Sequence, residues 1–172
     1  MSNDFAIDPE ILRLALRHWV TGVTVVTSAL DGINSGMTVN SFNSISLDPP
    51  IVSVCLARET RTYQMIEKSG ILGITILGSE QDDISNRFAG RYPEVVDRFE
   101  GVETFTMITG ALFISGGDAF LDCQVVHRYE AGVNILLAAQ VVGASVSGSD
   151  SPLVYYRRGY WNLTATDQHR PG

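Results

Sequence analysis

The chain's 172 residues fit one domain, and with 45% of them hydrophobic they can bury a core. A formal charge of −7 denies it the basic face of a general nucleic-acid binder, although a local basic pocket for one phosphate stays open. No apolar run approaches the roughly 20 residues that span a bilayer. The start MSNDFAIDPE lacks the basic-then-apolar order of a secretory signal, and Cys55 and Cys123 read as reduced core residues, so the expected location is the cytoplasm.

In chain order, Asp8-Pro9-Glu10 reads as an N-cap followed by proline at the first helical position. Ile11, Leu12, Ala15, Leu16 and Trp19 follow at helical spacing, with a stop at Gly22. Val23 to Ala29 is β-branched and apolar and predicts a strand. Asp31-Gly32 predicts a hairpin, returning as one irregular strand from Ile33 to Ser46. Pro49-Pro50 ends it, and Ile51 to Ala57 predicts a buried strand. Thr60 can cap a helix over Arg61 to Lys68, closed by Ser69-Gly70. Ile71 to Leu77 predicts a strand, and Ser79 the start of a helix with Ile84, Phe88 and Ala89 on its inner face. Residues 90–104 read as irregular. Apolar strands are expected at Ala111–Ile114, Ala119–Tyr129 and Asn134–Val146, then short closing ones at Pro152–Tyr156 and Tyr160–Leu163, with a frayed tail from Thr164. Many strands, few short helices and little βαβ alternation predict a mainly β, antiparallel barrel in a single domain with its core over about 10–163.

Several chemistries lack their motifs. There is no G-x-G-x-x-G after a strand, no P-loop and no G-x-S-x-G elbow. His18, His127 and His169 lie far apart without metal-ligand spacing, so no metal is expected. An enzyme of this composition borrows its chemistry from a cofactor.

The stretch GMTVNSFNSISLDPP (36–50) sets four hydroxyls and two amides among apolar residues, with no cation. One reading is a strand and loop whose hydroxyls satisfy their own backbone. The other is a wall for a flat, polar-edged, uncharged ring, which needs apolar faces and a few placed donors and acceptors at its rim.

These residues and five further blocks carry a resemblance. TGVTVVTS (21–28), GMTVNSFNSISLDPPIVSVCLA (36–57), SGILGITIL (69–77), RFAG (87–90), FLDCQVVHRYEAG (120–132) and PLVYYRRGYWNL (152–163), in this order and spacing, resemble the flavin reductase-like family. The resemblance implies a Greek-key, FMN-binding split barrel with a few short peripheral helices. It also implies an NAD(P)H:flavin oxidoreductase that passes a hydride from NADH or NADPH to FMN or FAD and supplies a partner monooxygenase. By the same resemblance the assembly is a homodimer.

It implies, too, that Thr38, Val39, Asn40 and Ser41 line the flavin ring and that Cys55, Leu56 and Ala57 run beside the ring and ribityl chain. Thr60 and Arg61 would lie near the phosphate, as would Arg87, Phe88 and Ala89. Each has a plainer reading. Cys55 and Leu56 suit a core strand, Arg61 and Arg87 suit solvated helix cations, and Phe88, Tyr156 and Tyr160 suit packing. One departure stands out. Where family members commonly carry Gly-Asp-His, this chain has Gly132-Val133-Asn134. Asn134 can hydrogen-bond a nicotinamide carboxamide in the catalytic position but cannot titrate, and it also suits a turn. The alternative is therefore a flavin-binding split barrel without efficient nicotinamide-dependent reductase activity.

Overall fold

The structure is a computed structural model and describes residues 7–147 and 151–163. The expected frayed tail, 164–172, lies outside the described residues.

Helix α1 (Pro9–Leu16) starts as its sequence requires, with the Asp8 carboxylate accepting from the Glu10 N–H at 2.8 Å. It stops at Arg17, well before Gly22, because Thr21–Gly22 is drawn off as strand β1. Strands β2 (Thr24–Leu30) and β3 (Ile33–Val39) form the expected hairpin. Asp31 and Gly32 take φ of 51° and 77°, the paired left-handed conformation whose twist matches the strands. The single strand expected over 33–46 is two. Val39 ends β3, and β4 (Asn43–Leu47) begins after a break at Asn40–Phe42. Strand β5 (Pro50–Ala57) leads to α2 (Arg61–Ser69), with Thr60 as N-cap and Gly70 closing it at φ 73°.

After β6 (Ile71–Ile76), helix α3 (Asp82–Phe88) begins three residues later than Ser79. The Ser79 N–H is spent on the Ser151 carbonyl at 2.8 Å, and Gly78 bridges Pro152, so that backbone is not free to wind. A three-residue strand, β7 (Thr104–Thr106), starts at the last residue of the irregular region and pairs with β8 (Leu112–Ile114). The long pair β9 (Ala119–Ala131) and β10 (Asn134–Val146) follows, then β11 (Val154–Tyr156) and β12 (Gly159–Trp161), with β1 completing the last sheet. No described helix is long and apolar enough to cross a membrane.

The main sheet has seven antiparallel strands in the order β3-β2-β6-β9-β10-β5-β4. Its two edges are consecutive in the chain, so Asn40–Phe42 carries the backbone from one edge to the other. Ser41 bridges the gap: its hydroxyl donates to the Cys55 carbonyl at 2.9 Å and accepts the Cys55 N–H at 3.0 Å. One buried cluster packs against this sheet. It holds alternate residues of β5 (Val52, Val54, Leu56) and β10 (Ile135, Leu137, Ala139), with Tyr63 and Ile66 of α2. Val25, of the opposite parity in β2, and Val23 just before that strand join Leu77, Phe88, Ile114 and Leu153 in a second cluster. This second cluster seats α3, which forms one wall of the site.

Candidate functional site

A cavity of about 520 Å³ opens where four segments meet. They are β3 (Asn34 to Thr38), the start of α2 (Thr60 to Thr62), the end of α3 (Phe88, Ala89) and the loop Val96 to Phe99. Glycine at position 36 makes this meeting possible. A Cβ there would fall 2.9 Å from Cε1 of Phe88 and 3.1 Å from Cζ of Phe99. Phe88 and Phe99 pack edge-to-face against the bare backbone, ring centroids 5.0 Å apart, as an aromatic wall. Across from them, the Ser35 and Thr62 hydroxyls meet at 3.0 Å and tie β3 to α2.

Two arginines line this cavity. Arg98 donates from Nη1 to the carbonyls of Gly36 (3.2 Å) and Phe88 (2.8 Å), locking the loop to both walls. Arg61 is exposed at the first turn of α2. The ion pairs among the described residues involve Arg13, Arg17 and Arg58, so neither cavity arginine is matched by a carboxylate. Asp97 is the one acidic lining residue. In a chain of net charge −7, two unmatched cations beside hydroxyls and an aromatic wall suit an anion with an apolar body, such as a nucleotide.

Of the residues singled out from sequence, Thr38, Thr60, Arg61, Phe88 and Ala89 line this cavity. The Thr38 hydroxyl donates to the Ser85 carbonyl at 2.6 Å. That of Thr60 donates to the Ala57 carbonyl at 2.8 Å and caps Tyr63. Asn40 lines an adjoining cavity of about 240 Å³ that shares Thr38 and Ala89 and adds Ser85, Arg91, Tyr155 and Tyr160. Tyr160 supports that wall, its hydroxyl lying 2.8 Å from Ser85 Oγ and 3.0 Å from Asn86 Oδ1. Tyr156 packs edge-on against Trp161.

The other singled-out residues stand outside these cavities. Val39 and Leu56 are buried in the first core cluster. Ser41 and Cys55 bind one another through the Ser41 hydroxyl and the Cys55 backbone. Arg87 is held by the carbonyls of Asp97, Arg98 and Glu100, so it buttresses the loop that delivers Arg98. Asn134 opens β10 between Ala57 and Ala131, where the Arg58 N–H donates to the Val133 carbonyl at 3.2 Å. The structure therefore sets Asn134 next to Ala57. Sequence reasoning missed Gly36, Arg98 and Phe99. The arginine and phenylalanine sit in a stretch without periodicity, and only the close approach of Phe88 reveals why position 36 lacks a side chain.

Residues 16–164 match the flavin reductase like domain. The chain belongs to the flavin reductase-like family. It is 33% identical over 158 residues to the reductase subunit HsaB of a flavin-dependent monooxygenase from Rhodococcus jostii, covering 92% of this chain and 80% of that one. It is 35% identical over 161 residues to a flavin reductase of Pseudomonas putida, covering 93% of each. Among solved structures, the NADH:FAD oxidoreductase SgcE6 of Streptomyces globisporus, in complex with NAD and FAD fragments, superposes with a TM-score of 0.86 at 27% identity. That match covers 95% of this chain and 99% of SgcE6.

Proposed function

We propose that this flavin reductase-like protein is an NAD(P)H:flavin oxidoreductase that delivers reduced FMN or FAD to a separate monooxygenase. The observation that carries this reading is the cavity in which Arg61 and Arg98, unmatched by carboxylates, stand beside the Phe88–Phe99 wall and the hydroxyls of Thr38 and Thr60. Such a lining suits an anionic ligand with an apolar, planar body. The flavin supplies the redox chemistry when bound, accepting a hydride from NADH or NADPH. The chain's own residues bind and orient. Arg61 and the first N–H groups of α2 would take the phosphate, with Thr60 capping that helix end beside it. Thr38 and Asn40, with the backbone of Val39 and Ser41, bound the ring's rim, and Cys55, Leu56 and Ala57 form the strand beside it. No charged catalytic cluster is needed, because the work is positioning two planar reactants against each other.

Asn134 beside Ala57 is the residue we assign to the nicotinamide carboxamide. Its identity also favours a second reading, a flavin-binding protein with slow nicotinamide turnover, since an amide cannot titrate as the family's histidine does. Purified protein titrated with FMN and FAD and then given NADH or NADPH separates these readings. Flavin binding with flavin-dependent nicotinamide oxidation is expected. Binding without oxidation favours the second reading, and no binding ends both. Asn134→His is expected to raise the oxidation rate or the nicotinamide affinity, and no change in either removes Asn134 from that role.

The reading includes a homodimer. Helix α1 buries none of its residues, leaving Ile11, Leu12, Leu14 and Leu16 exposed beside Trp19, which is 72% exposed. An eight-residue helix is not stable by itself, and an apolar one in water asks to be covered. The two free cysteines suit the reducing cytoplasm.

A further inference from the structure

We propose that Tyr160, in the closing strand β12, is a positioning residue for the reaction: through Ser85 it fixes the Thr38 hydroxyl at the wall shared by the two cavities. This rests on the flavin-site reading above and adds a residue that acts on the ring through a relay.

Thr38 lines both the main cavity and the adjoining one of about 240 Å³. Its hydroxyl proton is spent on the Ser85 carbonyl at 2.6 Å. In that state the oxygen has only lone-pair capacity to offer a ligand, so Thr38 accepts and does not donate. An isoalloxazine carries an N–H on its polar edge in both redox states. An acceptor whose direction is fixed in advance complements such a group better than a hydroxyl free to rotate.

That direction is set by where α3 holds the Ser85 carbonyl. Helix α3 has seven residues, too few to be stable alone. The Ser85 carbonyl already accepts the Ala89 N–H at 2.9 Å, so a roll or bend of the helix carries the bond to Thr38 with it. Two contacts oppose such a movement. Phe88 is fully buried in the second core cluster. Three residues earlier, the Tyr160 hydroxyl lies 2.8 Å from Ser85 Oγ and 3.0 Å from Asn86 Oδ1.

Tyr160 is itself well anchored. It pairs with Tyr155 of β11, their ring centroids 5.7 Å apart, and the Arg91 guanidinium lies 6.0 Å from the centroid of its ring. Packing of this kind needs the ring and not the hydroxyl. The hydroxyl answers a different need. Ser85 is 1% exposed, and without Tyr160 its side chain would turn to the Gln81 carbonyl, the i−4 contact that bends helices. The relay thus runs from the last sheet of the chain, through the Ser85 side chain and carbonyl, to the Thr38 oxygen at the cavity wall.

The test uses the full chain and the variants Tyr160→Phe, Ser85→Ala and Thr38→Val, with Tyr160→Phe also combined with Thr38→Val. Phenylalanine keeps the ring packing, and alanine at 85 keeps the carbonyl while removing the link to Tyr160. The readouts are FMN affinity by fluorescence titration, visible absorption of the bound flavin, and urea unfolding without ligand. Each single variant should weaken FMN by about fivefold and shift the flavin's absorption. In the Thr38→Val background, Tyr160→Phe should weaken FMN by less than about twofold more, because no hydroxyl remains to be positioned. Effects that multiply in the pair overturn the relay while leaving the flavin site standing. So does any single variant whose FMN affinity and flavin spectrum match the wild type, whatever its stability in urea. Binding of no flavin by the wild type overturns the flavin reading itself, and the relay with it.

Discussion

Arg61 illustrates how a single cation acquires meaning from its surroundings. Taken alone it is an exposed residue in the first turn of a helix, where a positive charge is mildly unfavourable beside the helix dipole. At a cavity rim without a carboxylate partner, the same charge is available to a phosphate. Arg61→Ala should weaken FMN about tenfold or more and leave riboflavin, which lacks the phosphate, unchanged in a fluorescence titration. Cys123 is the opposite case, a group removed from chemistry. Burial, with the neighbouring Asp122 carboxylate second, pushes its thiol up to about 12. Native protein at pH 8 should therefore take up iodoacetamide at Cys55 and not at Cys123, as read by mass spectrometry. Because the folded thiol titrates above the unfolded one, its contribution to stability is complete below pH about 9 and is lost as pH rises toward 12. Over that window the stability of Cys123→Ala, measured by urea unfolding, should fall less steeply than wild type, by up to about 1.4 kcal/mol per pH unit.

At the scale of elements, two close approaches hold the site in place. Strand β3 packs against α3 and the 96–99 loop only because position 36 has no side chain. Gly36→Ala drives a methyl into Phe88 and Phe99, both constrained by packing, and should cost about 1–3 kcal/mol in urea unfolding and weaken FMN binding in the same protein. The second is Asp122 of β9, fully buried, which accepts the N–H groups of Ile108 (2.6 Å) and Thr109 (2.8 Å) and the Thr109 hydroxyl. A carboxylate with three donors tolerates burial. Asp122→Ala leaves those donors unsatisfied and should cost about 3 kcal/mol in thermal or urea unfolding, while FMN affinity at the separate cavity holds.

At the scale of the whole molecule, the exposed stripe on α1 makes an assembly prediction. The 18.7 kDa chain should sediment at about twice its mass. Ile11→Glu combined with Trp19→Glu, both exposed in the monomer, should yield a folded species of single mass, because buried charge without a partner is costly at an apolar interface. A wild type that sediments as a monomer removes the homodimer from the proposal.

The sequence by itself determined the local events. Alternating β-branched runs became strands, Asp31-Gly32 became the turn, Asp8 and Thr60 became caps, and β10 runs over Asn134–Val146 as its apolar pattern indicates. These depend on neighbours in the chain, so the pattern is written where it acts. The motif blocks also disclosed the family and, through Thr38, Thr60, Arg61, Phe88 and Ala89, five residues of the cavity wall. Tertiary structure alone decided the rest. It split 33–46 at Asn40 so that Ser41 could reach Cys55, and it moved the start of α3 because Ser79 bonds across to Ser151. It also turned Arg87 to the loop carbonyls while bringing Arg98 into the cavity. Each of these depends on hydrogen bonds or packing between residues at least 10 positions apart, and no local periodicity records such a partner.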